Sequence, residues 1–175
     1  MAQAVKDQSP ITGADFHALQ AVEGWLGLGN PREALAEWEK ISRKLHQHPH
    51  VLNARWQIAA ALKNWEDAFA AASSLMLVSP NDPTSWIHRS YALRRCRAGG
   101  LQQAWDALLP AVQKFPSVST IPYNIACYAA QLGKPSEAWD WLHRAIEAAD
   151  DVAEIKEMAL QDEDLRSIWD RIRTI

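Results

Sequence analysis

Apolar residues recur in this chain at the three- and four-residue spacing of helices that bury one face. Ala34 is followed by Trp38 and Ile41, Ala68 by Ala72 and Leu75, Ala104 by Leu108 and Ala111, and Ala138 by Leu142 and Ala145. The four leading alanines lie 34, 36 and 34 residues apart, so the stripe belongs to a repeated unit. A unit of this length cannot close a core alone. Neighbours must stack to bury a shared apolar seam, and a surface built that way serves recognition more readily than catalysis.

Turn residues split each unit into two helices. The first pair reads FHALQAVEGWLGLG, with Asp15 or Thr12 as its cap, then REALAEWEKISRKLH. Gly29 and Asn30 supply the corner between them, and Pro31 suits the first turn of the returning helix because its missing N–H costs nothing there. The second pair reads NARWQIAAALKN and WEDAFAAASSLMLV, closed by Ser79-Pro80-Asn81-Asp82-Pro83, where the longer interval places its two extra residues. The third reads SWIHRSYALRRCRAG and LQQAWDALLPAVQKF, with Gly99 and Gly100 at its inner turn and Pro110 inside the second helix, where it removes one backbone bond. The fourth reads PYNIACYAAQLG and SEAWDWLHRAIEAA, and its Gly133-Lys134-Pro135 turn repeats the chemistry of Gly29-Asn30-Pro31 at the same phase. VAEIKEMAL and DLRSIWDRI then predict one or two helices that cover the last apolar face. The organisation expected is a flexible lead over residues 1–12 and a single domain over 13–175. Its repeats fall near 15–48, 49–82, 85–118 and 119–152, with a cap near 153–175.

These residues resemble the tetratricopeptide repeat pattern. Ala21, Trp25, Gly29 and Ala34 match it in the first unit, and Trp56, Ala59, Ala68 and Pro80 in the second, where Lys63 stands in place of the usual glycine. Tyr91, Ala92, Gly99, Ala104 and Pro116 match in the third unit, and Ile125, Ala126, Gly133 and Ala138 in the fourth, which lacks the closing proline. The likeness covers roughly residues 15–150, and ALQDEDLRSIW is similar to the acidic end helix that follows the last repeat in many small bacterial members. The resemblance implies an all-α, right-handed superhelix of about four helix pairs plus C-terminal capping helices. It also implies a non-enzymatic scaffold or adaptor that binds a peptide or protein segment in its concave groove.

Composition agrees with a folded chain. It has 175 residues, 48% of them hydrophobic and 22% charged, and a net charge of −3, too small to point to nucleic acid or a membrane surface. Nine tryptophans mostly fall inside the expected helices, where flat rings seal gaps between them. Cys96 and Cys127 each lie in an expected helix and read as reduced thiols. The N-terminus has no secretory pattern and no run reaches a membrane-spanning length, so a cytoplasmic location is the default.

In the resembled family the first helix of each pair lines the groove. Phase then brings Gln20 and Glu23 inward in the first unit and Asn53 and Gln57 in the second. Trp86, Arg89 and Arg97 follow in the third, and Tyr123, Asn124 and Gln131 in the fourth. Amides can pair with an extended peptide backbone, Tyr123 and Trp86 offer flat anchors, and Arg89 can hold a carboxylate through two bonds. The main alternative is a structural or homo-oligomerisation module without a peptide ligand, in which a homodimer contact covers Trp86 or the terminal helix. Some family members grip acidic C-terminal peptides with Lys and Asn, but Leu19 and Glu23 occupy the corresponding positions here and supply no positive charge. Arg89, Arg94, Arg95 and Arg97 form a basic cluster, whereas residues 147–164 hold eight carboxylates against Lys156 alone.

Bond-making chemistry finds little support. His46, His48 and His50 lie in a connection interrupted by proline, with no acidic or cysteine ligand at helical spacing, and read as loop residues. No HExxH, phosphate loop or nucleotide fingerprint occurs, so no metal or cofactor is expected. A cysteine-dependent enzyme, with Cys127 approached by His143, is the remote alternative.

Overall fold

Ala34, Ala68, Ala104 and Ala138 have no accessible surface, so the stripe that defines the repeat lies in the seam. The computed structural model describes residues 10–174, and most of the expected N-terminal lead falls outside the described residues. All regular structure among the described residues is helical. In chain order the α-helices are α1 (Gly13–Gly27), α2 (Pro31–Trp38), α3 (Pro49–Ala61), α4 (Trp65–Val78), α5 (Pro83–Leu93), α6 (Leu101–Lys114), α7 (Thr120–Gln131), α8 (Pro135–Glu147), α9 (Val152–Gln161) and α10 (Trp169–Ile172). Short 3₁₀ segments occur at Arg43–Leu45 and Glu163–Ile168. The chain divides into two compact units, Met1–Ala92 and Leu93–Ile175.

In the first unit α1 pairs with α2 and α3 with α4, and α3 also packs on α1 and α2. Ala18, Leu19 and Val22 of α1, Ala34 of α2 and Val51, Ala54 and Ile58 of α3 form one core, closed by Ile41 and Leu45 from the connection. A second cluster joins Ala59, Ala68 and Ala92, with Trp56, Trp65 and Phe69 around it. Three small side chains at the centre let helix backbones approach, and the large rings fill the margins.

In the second unit α7 has α6, α8 and the 3₁₀ segment Glu163–Ile168 packed around it. Nine residues of α7, Ile121 to Tyr123 and Ile125 to Ala130, are buried. A helix apolar on every side must be covered on every side. Leu165, Ile168 and Ile172 from the terminal segment are fully buried and supply part of that cover.

Three helix ends use one corner. Gly29, Lys63 and Gly133 occupy the same position, and the following N–H reaches back five residues: Asn30 to Trp25, Asn64 to Ala59 and Lys134 to Ala129. The corner needs a left-handed residue, with φ of 71° at Gly29, 58° at Lys63 and 75° at Gly133. The departure at Lys63 therefore keeps the glycine geometry with a side chain, a conformation that costs a non-glycine residue about 1–2 kcal/mol. Because Lys63 is exposed, Lys63→Gly loses no packing. Offset by the greater freedom glycine gives the unfolded chain, it is expected to stabilise the protein by about 0.5–1 kcal/mol, read as a higher denaturation midpoint in urea.

Two helices end earlier than their sequence suggests. The expected helix 32–46 stops at Trp38, because the Trp38 indole donates to the Val51 carbonyl at 3.0 Å and the Ser42 N–H donates to Asp15 at 2.7 Å. Those bonds turn the chain out of the helix before the 3₁₀ segment begins. They also engage Asp15 elsewhere than at the end of α1, where Thr12 holds the cap position without a side-chain bond. Likewise α5 ends at Leu93, and Cys96 lies in the turn that follows. There the Gly100 N–H donates to the Leu93 carbonyl, and a Cβ on Gly99 would lie 1.8 Å from that oxygen. Only glycine fits this crossing.

Candidate functional site

The first unit carries its polar residues along its first helices. Gln20 and Glu23 are exposed on α1, three residues apart and so on one side of the helix; Gln57 is exposed on α3, one turn beyond Asn53. Asn53 is half-buried, and its Oδ1 is buried without a hydrogen-bond partner. On α5, the Trp86 indole donates to the Pro80 carbonyl at 3.0 Å, and the Arg89 guanidinium lies 5.3 Å from the centre of the Phe69 ring.

Helices α3 and α5 also carry an aromatic stack. The Trp56 and His88 rings lie parallel with centres 3.5 Å apart, and the Trp56 indole donates to the His88 carbonyl at 3.2 Å. Tyr91 sets its edge against both Trp56 and Trp65. Burial pushes the His88 imidazole down to about 4, against the opposing pull of Asp82, so the ring is neutral near pH 7. The loop histidines are used structurally: Nε2 of His46 bonds to the Ile41 carbonyl, and Nδ1 of His48 accepts the His50 N–H at the start of α3.

The second unit gathers its chemistry where the 3₁₀ segment meets α7. Arg94 grips both oxygens of Asp164, with Nη2 to Oδ1 at 2.9 Å and Nη1 bonded to Oδ2. Its guanidinium also lies 5.7 Å from the centre of the Tyr128 ring. The Tyr123 hydroxyl donates to Asp162 Oδ2 at 3.1 Å, and the Cys127 thiol donates to the same oxygen at 3.5 Å. Asp162 Oδ1 accepts the Asp164 N–H, and the Gln131 amide donates to the Asp164 carbonyl at 3.2 Å. Asn124 turns back to the Thr120 carbonyl of its own helix, and Arg97 is exposed beyond α5.

The electrostatics of this network oppose nucleophilic chemistry. Burial, reinforced by the Asp162 and Asp164 carboxylates, pushes the Cys127 thiol well above its ordinary range, with Arg94 acting in the opposite direction. A reactive cysteine needs the reverse, a thiolate stabilised by positive charge. His143 is exposed on α8 and sets its ring edge-on to Trp139, while Cys127 is partnered by Asp162. Burial likewise raises Tyr123, and the bonds to Asp164 hold Arg94 more firmly charged. Cys127, Asp162 and Asp164 do place a thiol and two carboxylates within 4.8 Å of one another. Arg94 pairs with Asp164, while Asp162 accepts the Tyr123 O–H, the Cys127 S–H and the Asp164 N–H.

Four of these partners, Arg94, Cys127, Asp162 and Asp164, were not candidates for the groove in the sequence. The available signal was the composition of TIPYNIACYAAQ, which leaves α7 almost no face for solvent and therefore demands a cover.

No family model and no curated protein sequence matches the chain. Solved structures do. One described as a thermophilic TPR protein, TTC0263 from Thermus thermophilus, is 20% identical with a TM-score of 0.67, covering 92% of this chain and 100% of that one. The chain has the tetratricopeptide repeat fold. The same repeat architecture aligns with residues 41 to the end of MamA from Desulfovibrio magneticus RS-1 at 14% identity and a TM-score of 0.68, covering 94% of each chain. Such repeats present side chains at fixed spacing on a packed scaffold. No helix among the described residues is long and apolar enough to cross a membrane.

Proposed function

We propose that the chain is a non-enzymatic adaptor whose first unit recognises a peptide or protein segment through the polar row of its first helices. The supporting observation is the contrast between two faces. Tyr123 and Gln131 on α7 are engaged by the chain's own Asp162 and Asp164, whereas Gln20, Glu23 and Gln57 extend into solvent. The amides supply donors and acceptors for a peptide backbone, and Arg89, steadied on Phe69, supplies a carboxylate grip. Specificity comes from these polar groups and from Trp86 as a flat anchor.

Photo-crosslinking residues placed at Gln20 or Gln57, and as a control at exposed Ala70 on α4, test this in a cell lysate. Discrete adducts are expected from the first two positions and none from Ala70, with Arg89→Ala reducing their yield. Equal adducts from all three positions, or none from Gln20 and Gln57, would exclude this surface. An adduct of two copies of the chain would replace the peptide reading with self-association.

A further inference from the structure

The contacts made by residues 162–164 have the form of a ligand held in a receptor. One carboxylate receives a two-bond guanidinium grip from Arg94, the other receives the Tyr123 hydroxyl and the Cys127 thiol, and Gln131 donates to the backbone between the two recognised groups and the next turn. Paired Arg–carboxylate bonds, a side-chain amide to a main-chain carbonyl and buried apolar anchors are the means by which proteins read short segments of other chains. The anchors follow directly, since Leu165 and Ile168, one and four residues beyond Asp164, are fully buried. The segment is also short, a 3₁₀ run of six residues entered through an extended Asp162 with ψ of 108°. A 3₁₀ run of that length has weak internal bonding and takes its shape from what it lies on.

We propose that the α7 face of the second unit is a receptor for an acidic turn of the form Asp-x-Asp followed by spaced apolar residues. In this chain Asp162–Ile168 fills it as a tethered occupant, and a partner segment of the same chemistry binds by displacing that occupant. The incoming segment replaces like with like: two carboxylates for Asp162 and Asp164, and apolar side chains for Leu165 and Ile168. Arg94 is paired both before and after the exchange, which matters because a half-buried guanidinium stripped of its carboxylate is strongly disfavoured. This inference rests on reading the chain as an interaction module and adds to it a second surface, its ligand chemistry and its regulation.

The probe is a fluorescent synthetic peptide with the sequence of residues 160–174, added to the full-length chain. Asp162→Asn with Asp164→Asn removes both charges from the tethered segment while preserving its shape and its apolar anchors. That host is expected to bind the peptide at least about tenfold more tightly than the unaltered chain. Adding Arg94→Gln to the same host, or replacing both aspartates of the peptide with asparagine, should abolish binding. Amide hydrogen exchange over residues 162–172 reads release of the tethered segment directly and should accelerate in the double Asp→Asn host. Protection there that does not change would overturn the proposal, because the carboxylates would not hold the segment. Released amides without peptide binding, or binding indifferent to Arg94→Gln, would overturn it as well. Crosslinking from Gln20 and Gln57 reports on the other unit, so the two results are separable.

Discussion

Replacing Trp56 with alanine is expected to lower folding stability by about 3–5 kcal/mol, the range for truncating a large aromatic side chain in a packed site. Three interactions disappear together. The substitution leaves His88 without the partner stacked 3.5 Å away, Tyr91 loses its edge contact with the indole, and the indole bond to the His88 carbonyl is gone. Ala59, Ala68 and Ala92 cannot refill the space, because each is already fully buried and none has a side chain long enough to reach. Urea unfolding of the variant measures the loss, and a decrease below about 1 kcal/mol would show that the stack does not organise this part of the first unit. The same variant should let water reach His88 and return its titration toward the ordinary histidine range, a shift that NMR of the ring protons reports independently of stability.

Acid should destabilise the unaltered chain before its carboxylates begin to protonate. The folded His88 titrates at about 4 against 6.5 for a free histidine. Between those values the unfolded chain binds a proton that the folded chain refuses, so the loss caused by His88 is absent above about pH 6.5, grows as pH falls, and reaches its limit near pH 4. A separation of this size corresponds to about 3 kcal/mol once both limits are reached. Asp82 pulls the other way and is already included in the shift, while the Arg89 guanidinium on the same helix faces Phe69. His88→Phe keeps a flat ring against Trp56, removes the titration and removes Nδ1, which is buried without a partner. Its stability should fall less than that of the unaltered chain from about pH 6.5 to about pH 4, the remaining decline including that of His48, which burial also lowers. If the unaltered chain and His88→Phe lose stability in parallel over that range, His88 is not the group responsible.

These two predictions centre on residues that the helix pattern places without explaining. Trp56 appears in the sequence as a repeat-defining aromatic, and its position in the seam follows from that. Its partner does not, because His88 lies 32 residues away and an isolated histidine on a helix carries no mark of the ring it stacks on. Lys63 is the opposite case. The sequence exposes it as a departure from glycine, and the structure shows the corner retained with the same backbone bond and a left-handed φ of 58°. The seam bonds of the repeat outweigh the strain of one residue.

The terminal segment shows where local pattern runs out. ALQDEDLRSIW is similar to the acidic end helix that follows the last repeat, and PYNIACYAAQ reads as a groove helix with Tyr123 and Gln131 pointing inward. Each reading treats its helix alone. In the folded unit Asp162 and Asp164 turn toward Tyr123, Cys127, Gln131 and Arg94, which come from two other parts of the chain. Arg94 itself reads as one member of a basic cluster, and nothing in its neighbours distinguishes it from Arg95 or Arg97.

The sequence by itself determined the helix pairs, the buried alanine seam and the left-handed corners, because each depends on residues within one turn or one repeat of each other. Spacing of three and four residues sets a face, and a glycine or its substitute sets a turn, without reference to anything distant. Only the tertiary structure decided where α2 and α5 stop, which aromatic rings meet, and that the α7 face is filled from within the chain. Those outcomes are competitions between a local helix bond and a partner many residues away. They are won by burial and by matched donors and acceptors, quantities that exist only once the chain has packed.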